Sequence, residues 1–307
     1  MLLTLVTRES RKTHVEHSET GESTDEETNV FQGTDFTWSR TPPKLAQARR
    51  ENIIVCLPGC VDETKNANTQ QDAFSLFISD DILSIILTHT NQKIHEYLFN
   101  CTGKVQKWMQ RTPLDELGAV ISLLIYGVFE SSHEHIESLY KMDGTGRLVF
   151  PVIMAKNRFW FLLSFLRFDD KATRTERRSE DKMAAFREIW DTFIGLCKSL
   201  YLVGSAVCID EHLLPFRGRS GFRQYMPKKP SKYRIEIWMM CDCATKYMMN
   251  AKVYLGKENN KVACGLASDV ICTLVQPISG QDRGGRNVTT DNFFMSVDLA
   301  NQLKTKN

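Results

Sequence analysis

The spacing of apolar residues changes character along this chain. From Asp72 onward Phe74, Phe77, Ile78, Ile82, Ile85, Ile86 and His89 recur three and four apart, which predicts a pair of amphipathic helices. Thr112-Pro113-Leu114-Asp115 reads as a helix start, with Thr112 as N-cap, Pro113 at the first helical position and an acid in the first turn. The helix it opens, Leu117 to about Phe129, is apolar nearly all round and is expected to be a buried spine. After a turn at Met142–Arg147, the aromatic-rich stretch Asn157–Asp170 has helical spacing, and aromatics so spaced belong to a core more often than to a ligand box. Lys171–Lys182 mixes both charge signs and reads as a solvated loop. Met183, Phe186, Ile189, Trp190, Phe193 and Ile194 then predict one more amphipathic helix.

Beyond about residue 200 the pattern shortens to strands. Val207–Phe216 is an apolar run with Asp210 in its middle; Ile235–Cys241 and Tyr247–Tyr254 flank the turn 242–246. Val262, Leu266, Val270 and Leu274 recur every four residues, as a helix on a sheet requires, and lead to the β-branched run Val288–Thr290 that ends at Asp291. A right-handed crossover would return this last strand beside the first and bring Asp210 and Asp291 together near strand ends. A carboxylate is expensive in a buried strand. An edge strand whose Asp210 and Glu211 face water explains the first run equally well on these residues alone. The fold class expected is α+β.

Composition changes this picture little. Residues 7–68 are polar and include the acidic patch Glu19–Glu27, so 1–70 is expected to be a disordered tail. A formal net charge of +2 does not announce a nucleic-acid binder, and any basic signal must be local. The nine cysteines lack paired Cys-x-x-Cys spacing, which suggests reduced, mostly buried thiols rather than a zinc site. The opening Met1–Val6 is too short for a signal-peptide core and no run of membrane-spanning length follows, so a soluble intracellular protein with no membrane partner is expected.

The local basic signal lies directly after Asp210. Arg217, Arg219, Arg223, Lys228, Lys229, Lys232 and Arg234 occur with no acid among them, interleaved with Phe222, Tyr225 and Tyr233. Cations neutralise phosphates and aromatics stack on bases or pack on sugars, so the stretch suits a nucleic-acid backbone. A soluble hairpin with a cationic rim would have the same composition.

Three blocks, Asp210-Glu211-His212-Leu213-Leu214-Pro215-Phe216-Arg217-Gly218-Arg219, Phe222-Arg223-Gln224-Tyr225-Met226-Pro227-Lys228-Lys229-Pro230-Ser231-Lys232-Tyr233 and Arg286-Asn287-Val288-Thr289-Thr290-Asp291-Asn292-Phe293-Phe294, resemble the core blocks of piggyBac-type DNA transposases and their domesticated relatives. The resemblance runs from about Phe36 to Leu303. It implies a helical DNA-binding and dimerisation region at 71–200 and an incomplete RNase H-like core at 201–307. It places Arg158 and Arg167 in family blocks of the helical region, as further candidate DNA contacts. Asp210 and Asp291 fall on two of three metal-binding catalytic aspartates, with Mg²⁺ or Mn²⁺ as the cofactor. Such ions take oxygen ligands and, in pairs about 4 Å apart, clamp both oxygens of an in-line displacement.

The family's third aspartate lies in a later Gly-Gly-x-Asp type block that these 307 residues do not contain. Asp298, Asp282, Asp269 and Asp242 are the candidates to replace it, Asp298 the least poor of them. Stopping at Asn307 is also expected to leave sheet edge and apolar surface uncovered, with marginal stability or self-association. The resemblance thus leaves three readings. They are a nuclear protein, a candidate homodimer, that binds double-stranded DNA but is catalytically incomplete for cut-and-paste transposition at TTAA; an active nuclease completed by another acid or chain; and a partial-gene product without function.

Overall fold

The computed structural model describes residues 30–32, 37–39, 54, 56–130, 135–256, 265–278 and 285–305. Most of the expected N-terminal tail lies outside them. Within it, β1 (Val30–Gln32) pairs antiparallel with β2 (Thr37–Ser39), Phe31 opposite Trp38. Further on, β3 (Gly59–Cys60) pairs with a strand that lies just before the main sheet.

The helical half begins with α1 (Gln70–Phe77), which opens on a reciprocal cap: Asp72 N donates to Thr69 Oγ1 at 3.0 Å and Thr69 N to Asp72 Oδ2 at 2.9 Å. Two orphan donors are satisfied at once, a gain of about 1 kcal/mol. In α2 (Asp80–Phe99) the buried residues Ile82, Ile86, Thr90 and Ile94 stand four apart on one stripe. Helix α3 (Leu114–Glu130) buries Leu117, Val120 and Leu123 but leaves Val128 exposed, so it is a one-sided core helix rather than a spine buried all round. Thr112 does not cap it as expected. Its hydroxyl donates to Glu116 Oε2 at 2.7 Å and its N–H to Asn91 Oδ1 at 2.8 Å, tying the helix start to α2.

Two short helices, α4 (Ile136–Leu139) and α5 (Val149–Ile153), precede α6 (Lys156–Phe165). The aromatic run is core, as its spacing suggests. Phe159 meets Phe150 edge-on at 6.1 Å, and only Trp160 keeps substantial exposure. The mixed-charge stretch, read as a loop, is helix α7 (Lys171–Glu180). Asp170 caps it by accepting from Ala172 N at 2.8 Å, and the buried Asp169 binds Arg174 and Arg177 from its first turns. A helix with almost no apolar residue is thus fixed by ion pairs, which hydrophobic periodicity cannot register. Helix α8 (Arg187–Ser199) follows and buries Ile189, Ile194 and Cys197.

The partner of β3 is β4 (Tyr201–Leu202). The main sheet comprises β5 (Ala206–Pro215), β6 (Gln224–Tyr225), β7 (Tyr233–Asp242), β8 (Met248–Val253) and β9 (Asn287–Thr290), with helix α9 (Leu266–Val275) in the crossover and α10 (Val297–Thr305) after it. Its order is β6-β7-β5-β9, with β8 also on β7. β5, β7 and β8 are antiparallel neighbours, whereas β9 returns parallel to β5, Val207 opposite Val288 and Ile209 opposite Thr290. This is the crossover the sequence pattern predicts, and it yields the α+β fold expected.

One face of the sheet carries the core. Val207, Ile209, Trp238, Met240 and Val288 cluster with Val270, Ile271, Leu274 and Val275 of α9, and each is at most 3% exposed. Asn250 Nδ2 crosses the same layer to donate to Leu274 O at 3.0 Å. Side chains alternate along a strand, so Cys208, Asp210 and His212 stand on the opposite face.

Candidate metal and nucleic-acid site

The parallel register decides the position of the two aspartates. Ile209 and Thr290 are the last residues paired between β5 and β9; Asp210 follows within β5, and Asp291 directly after the end of β9. Neighbouring strands run about 4.8 Å apart, so the two carboxylates leave the same level and the same face. Both residues are exposed. Asp210 Oδ1 accepts from Glu211 N at 2.7 Å and Asp291 Oδ1 from Asn292 N at 2.6 Å, which leaves each Oδ2 without a partner among the described residues. After Asp291 a single 3-10 turn, Asn292–Phe294, buries Phe294 in the core and thereby anchors the end of β9.

Two free carboxylate oxygens on adjacent strands suit a hard divalent cation. Among the described residues no group of three or more His, Cys, Asp or Glu could hold a metal, so the fit extends to a pair of ligands. The replacement acids do not join them. Asp242 is 2% exposed and accepts from Gly204 N at 2.7 Å, Ala244 N at 2.8 Å and Thr245 N at 2.9 Å. Burial pushes its carboxyl up, but these backbone donors outweigh burial and hold it below the ordinary value. Asp269 lies in the first turn of α9, on the covered side of the sheet, Asp298 is exposed in the first turn of α10, and Asp282 lies outside the described residues.

The basic stretch forms the end of the same sheet. β6 and β7 pair Gln224 with Arg234 and Tyr225 with Tyr233, closed by Met226 N donating to Lys232 O at 2.8 Å. Lys228, Lys229 and Lys232 are exposed on this hairpin loop, and Arg217 and Arg219 on the segment leaving β5. Arg223 is fixed among them, donating to Gly218 O at 2.9 Å and Arg217 O at 3.2 Å while its guanidinium lies 4.3 Å from the Tyr233 ring centre. Arg217, Arg223, Pro230, Ser231, Lys232 and Tyr233 line an open groove of about 490 Å³. Arg234 is the exception, buried with its Nε bonded to Ser231 O.

Of the two arginines in the helical half, Arg158 is committed to partners within the protein. It is 6% exposed, pairs with Glu116 through two hydrogen bonds of 2.8 and 2.5 Å, and donates to the carbonyls of Trp108, Gln110 and Arg111. A buried guanidinium with this many acceptors is a structural clamp. Arg167 is half-buried, donates to Leu166 O, and stands near Lys93. Lys93, for which the sequence pattern predicts no role, bonds Ser164 O and lies 4.4 Å from the Phe165 ring centre. Burial, Arg167 and Lys171 together pull its ammonium down to about 8.

Sequence reasoning also missed the neighbours of Asp210. Cys208 and His212 share its face, a consequence of period-two alternation that was available from the sequence. Cys241, opposite Cys208, follows only from the register. The expectation of mostly buried thiols fails too: of the eight described cysteines, all without disulfides, only Cys197 is buried.

The family model described as transposase IS4 matches residues 69–307. The chain is 19% identical over 239 residues to the human PiggyBac transposable element-derived protein 3, an alignment covering 77% of this chain and 38% of that protein. Among solved structures it resembles the piggyBac transposase in a cryo-EM synaptic complex with hairpin DNA, at 36% identity and a TM-score of 0.74, over 81% of this chain and 51% of that one. The chain therefore spans about half or less of the length of these relatives.

Proposed function

Because the chain belongs to the transposase IS4 family and is a piggyBac-type transposase-derived protein, we propose that it binds double-stranded DNA through Arg217, Arg219, Arg223, Lys228, Lys229 and Lys232 and presents a phosphate to Asp210 and Asp291. The observation that carries this reading is the β5–β9 register, which brings the two aspartates to the same level of neighbouring strands, on the strand β5 that leads on into the basic segment. The neighbour's DNA complex supports the same ligand class. Cations on the hairpin loop would neutralise the backbone, and Tyr225 and Tyr233, with ring centres 5.1 Å apart, would pack on sugars.

Mg²⁺ or Mn²⁺ held by the free Oδ2 atoms of Asp210 and Asp291 would polarise a phosphate oxygen. The chain's own contribution is to hold both carboxylates on backbone N–H groups and to position the DNA. Two carboxylates bind such an ion weakly, and the described residues group no third acid with them. On these residues DNA binding is the function supported, and catalysis of transposition awaits another ligand. The corresponding setting is the nucleus, with a TTAA-containing duplex as first substrate and a second copy of the chain as a candidate partner. The free, register-matched Oδ2 atoms favour one competing reading, a metal-dependent nuclease.

The test is a gel shift on a TTAA-containing duplex over a salt series, with and without Mn²⁺, scoring binding and nicking together. Binding should weaken steeply with salt, and removing one phosphate-binding cation, as in Arg223→Ala or Lys232→Ala, should flatten the log–log slope by about 0.9. Salt-independent binding, or slopes unchanged in both variants, would overturn the proposal. Mn²⁺-dependent nicking that disappears in Asp210→Asn would establish the nuclease instead.

A further inference from the structure

The face of the sheet that carries Asp210 also gathers thiols. Cys208 of β5 stands directly opposite Cys241 of β7. Cys243 N donates to Ala206 O at 3.0 Å and Phe216 N to Tyr233 O at 3.0 Å, and these bonds fix the phase of the antiparallel ladder. Hydrogen-bonded pairs alternate with non-bonded ones, so Cys208 and Cys241 form a hydrogen-bonded pair, whose Cα atoms are about 5.5 Å apart. Disulfides span Cα separations of about 4.4–6.8 Å. Cys243, two residues farther along, is diagonal to Cys208, at about 7–8 Å and beyond that range. Both thiols are only half-buried and hence within reach of a small oxidant.

We infer that Cys208 and Cys241 are an oxidant-sensitive dithiol that closes to a disulfide across β5 and β7 under hydrogen peroxide. The Cys208 thiolate attacks one peroxide oxygen, the O–O bond breaks, and the departing hydroxide takes a proton to leave as water. The sulfenic acid so formed is attacked at sulfur by the Cys241 thiolate, which makes the S–S bond and expels a second hydroxide, protonated to water. In sum two thiols are oxidised by two electrons and one peroxide is reduced to two waters.

The surroundings set the rate. Burial, then Cys208 and Cys243, raise the Cys241 thiol above its ordinary value, and Lys246 acts against this. The Lys246 ammonium is pinned by its bond to Cys243 O at 2.6 Å, and its backbone takes the left-handed conformation at φ 66°. It is the group that favours the attacking thiolate. Cross-strand Cβ atoms stand about 4.5–5.5 Å apart against the roughly 3.8 Å of a disulfide, so closure draws the strands together. A link strained in this way opens readily with thiol reductants. It would lie two residues from Asp210 on the same face, and it does not depend on the transposase reading.

The experiment treats the reduced full chain with hydrogen peroxide, quenches with iodoacetamide, and maps linked peptides by mass spectrometry. The expected product joins Cys208 to Cys241, reverts with dithiothreitol, is absent from Cys241→Ser, persists in Cys243→Ser, and forms more slowly in Lys246→Met. Recovery of Cys208 and Cys241 both alkylated while the exposed Cys56 and Cys60 oxidise would overturn the inference. So would a Cys208–Cys243 link in the parent chain.

Discussion

Replacing Arg158 by Met separates a structural clamp from a DNA contact. The guanidinium joins α6 to the start of α3, with two bonds to Glu116 and three to the carbonyls of Trp108, Gln110 and Arg111. Met approximates the stem but satisfies none of these acceptors. Removing one partner of a buried ion pair costs about 3–5 kcal/mol, because the other charge stays behind. The Glu116 side chain is 26% exposed and recovers some hydration, which argues for the lower half of that range. A loss of about 3–4 kcal/mol corresponds to a melting temperature lower by roughly 6–16 °C for a body of this size. Glu116 adds a signature in pH. The Arg158 hydrogen bond first, then the Thr112 hydroxyl and the Arg158 charge, overcome burial and hold its carboxyl below the ordinary value. Its stabilising effect is therefore present above the unfolded carboxylate pKa and is lost as pH falls through the folded value. In Arg158→Met that acid-side loss should shrink. Far-UV circular dichroism melts at neutral and mildly acidic pH, with DNA gel shifts taken well below the melt, supply the measurements. A variant that melts with the parent, or one that stays folded yet shows a salt slope shallower by about one phosphate, would refute the argument.

Other substitutions probe separate parts of the chain. Asp242→Ala strands the N–H groups of Gly204, Ala244 and Thr245 and should cost about 1–3 kcal/mol, read as a lower urea midpoint at unchanged m-value. Because the Asp242 carboxyl sits below its ordinary value in the fold, the deficit should be full at neutral pH and narrow in acid as the parent loses the same bonds. Lys93 runs the other way: held at about 8, it binds fewer protons folded than unfolded, so stability should rise with pH between about 8 and 10.5. Urea midpoints across that window should climb in the parent and flatten in Lys93→Met.

The β half was the more legible part of the sequence. Short β-branched runs, one helix of period four and the right-handed crossover rule were enough to place Asp291 beside Asp210, because each step was fixed by local pattern or chain handedness. The helical half was legible only where apolar residues carried the signal. Helix α7 was read as a loop because Asp169, Arg174 and Arg177 hold it through charge. Arg158 stood in a family block and looked like a phosphate ligand, since no local pattern discloses carbonyls nearly fifty residues away in the chain. Cys241 became the partner of Cys208 only through strand register, a non-local quantity.

That same register has a kinetic side. β7 and β8 join through a tight turn and β5 reaches β7 through the β6 hairpin, so these strands can pair through antiparallel neighbours, whereas the pairing of β9 with β5 spans the crossover helix α9. Parallel pairings across such a separation form late, since loop closure precedes any reward in contacts. Asp291 is therefore expected to reach Asp210 at a late step of sheet assembly. A metal probe that responds only to the pair would report completed folding, silent through every earlier intermediate and quenched first when the crossover lets go.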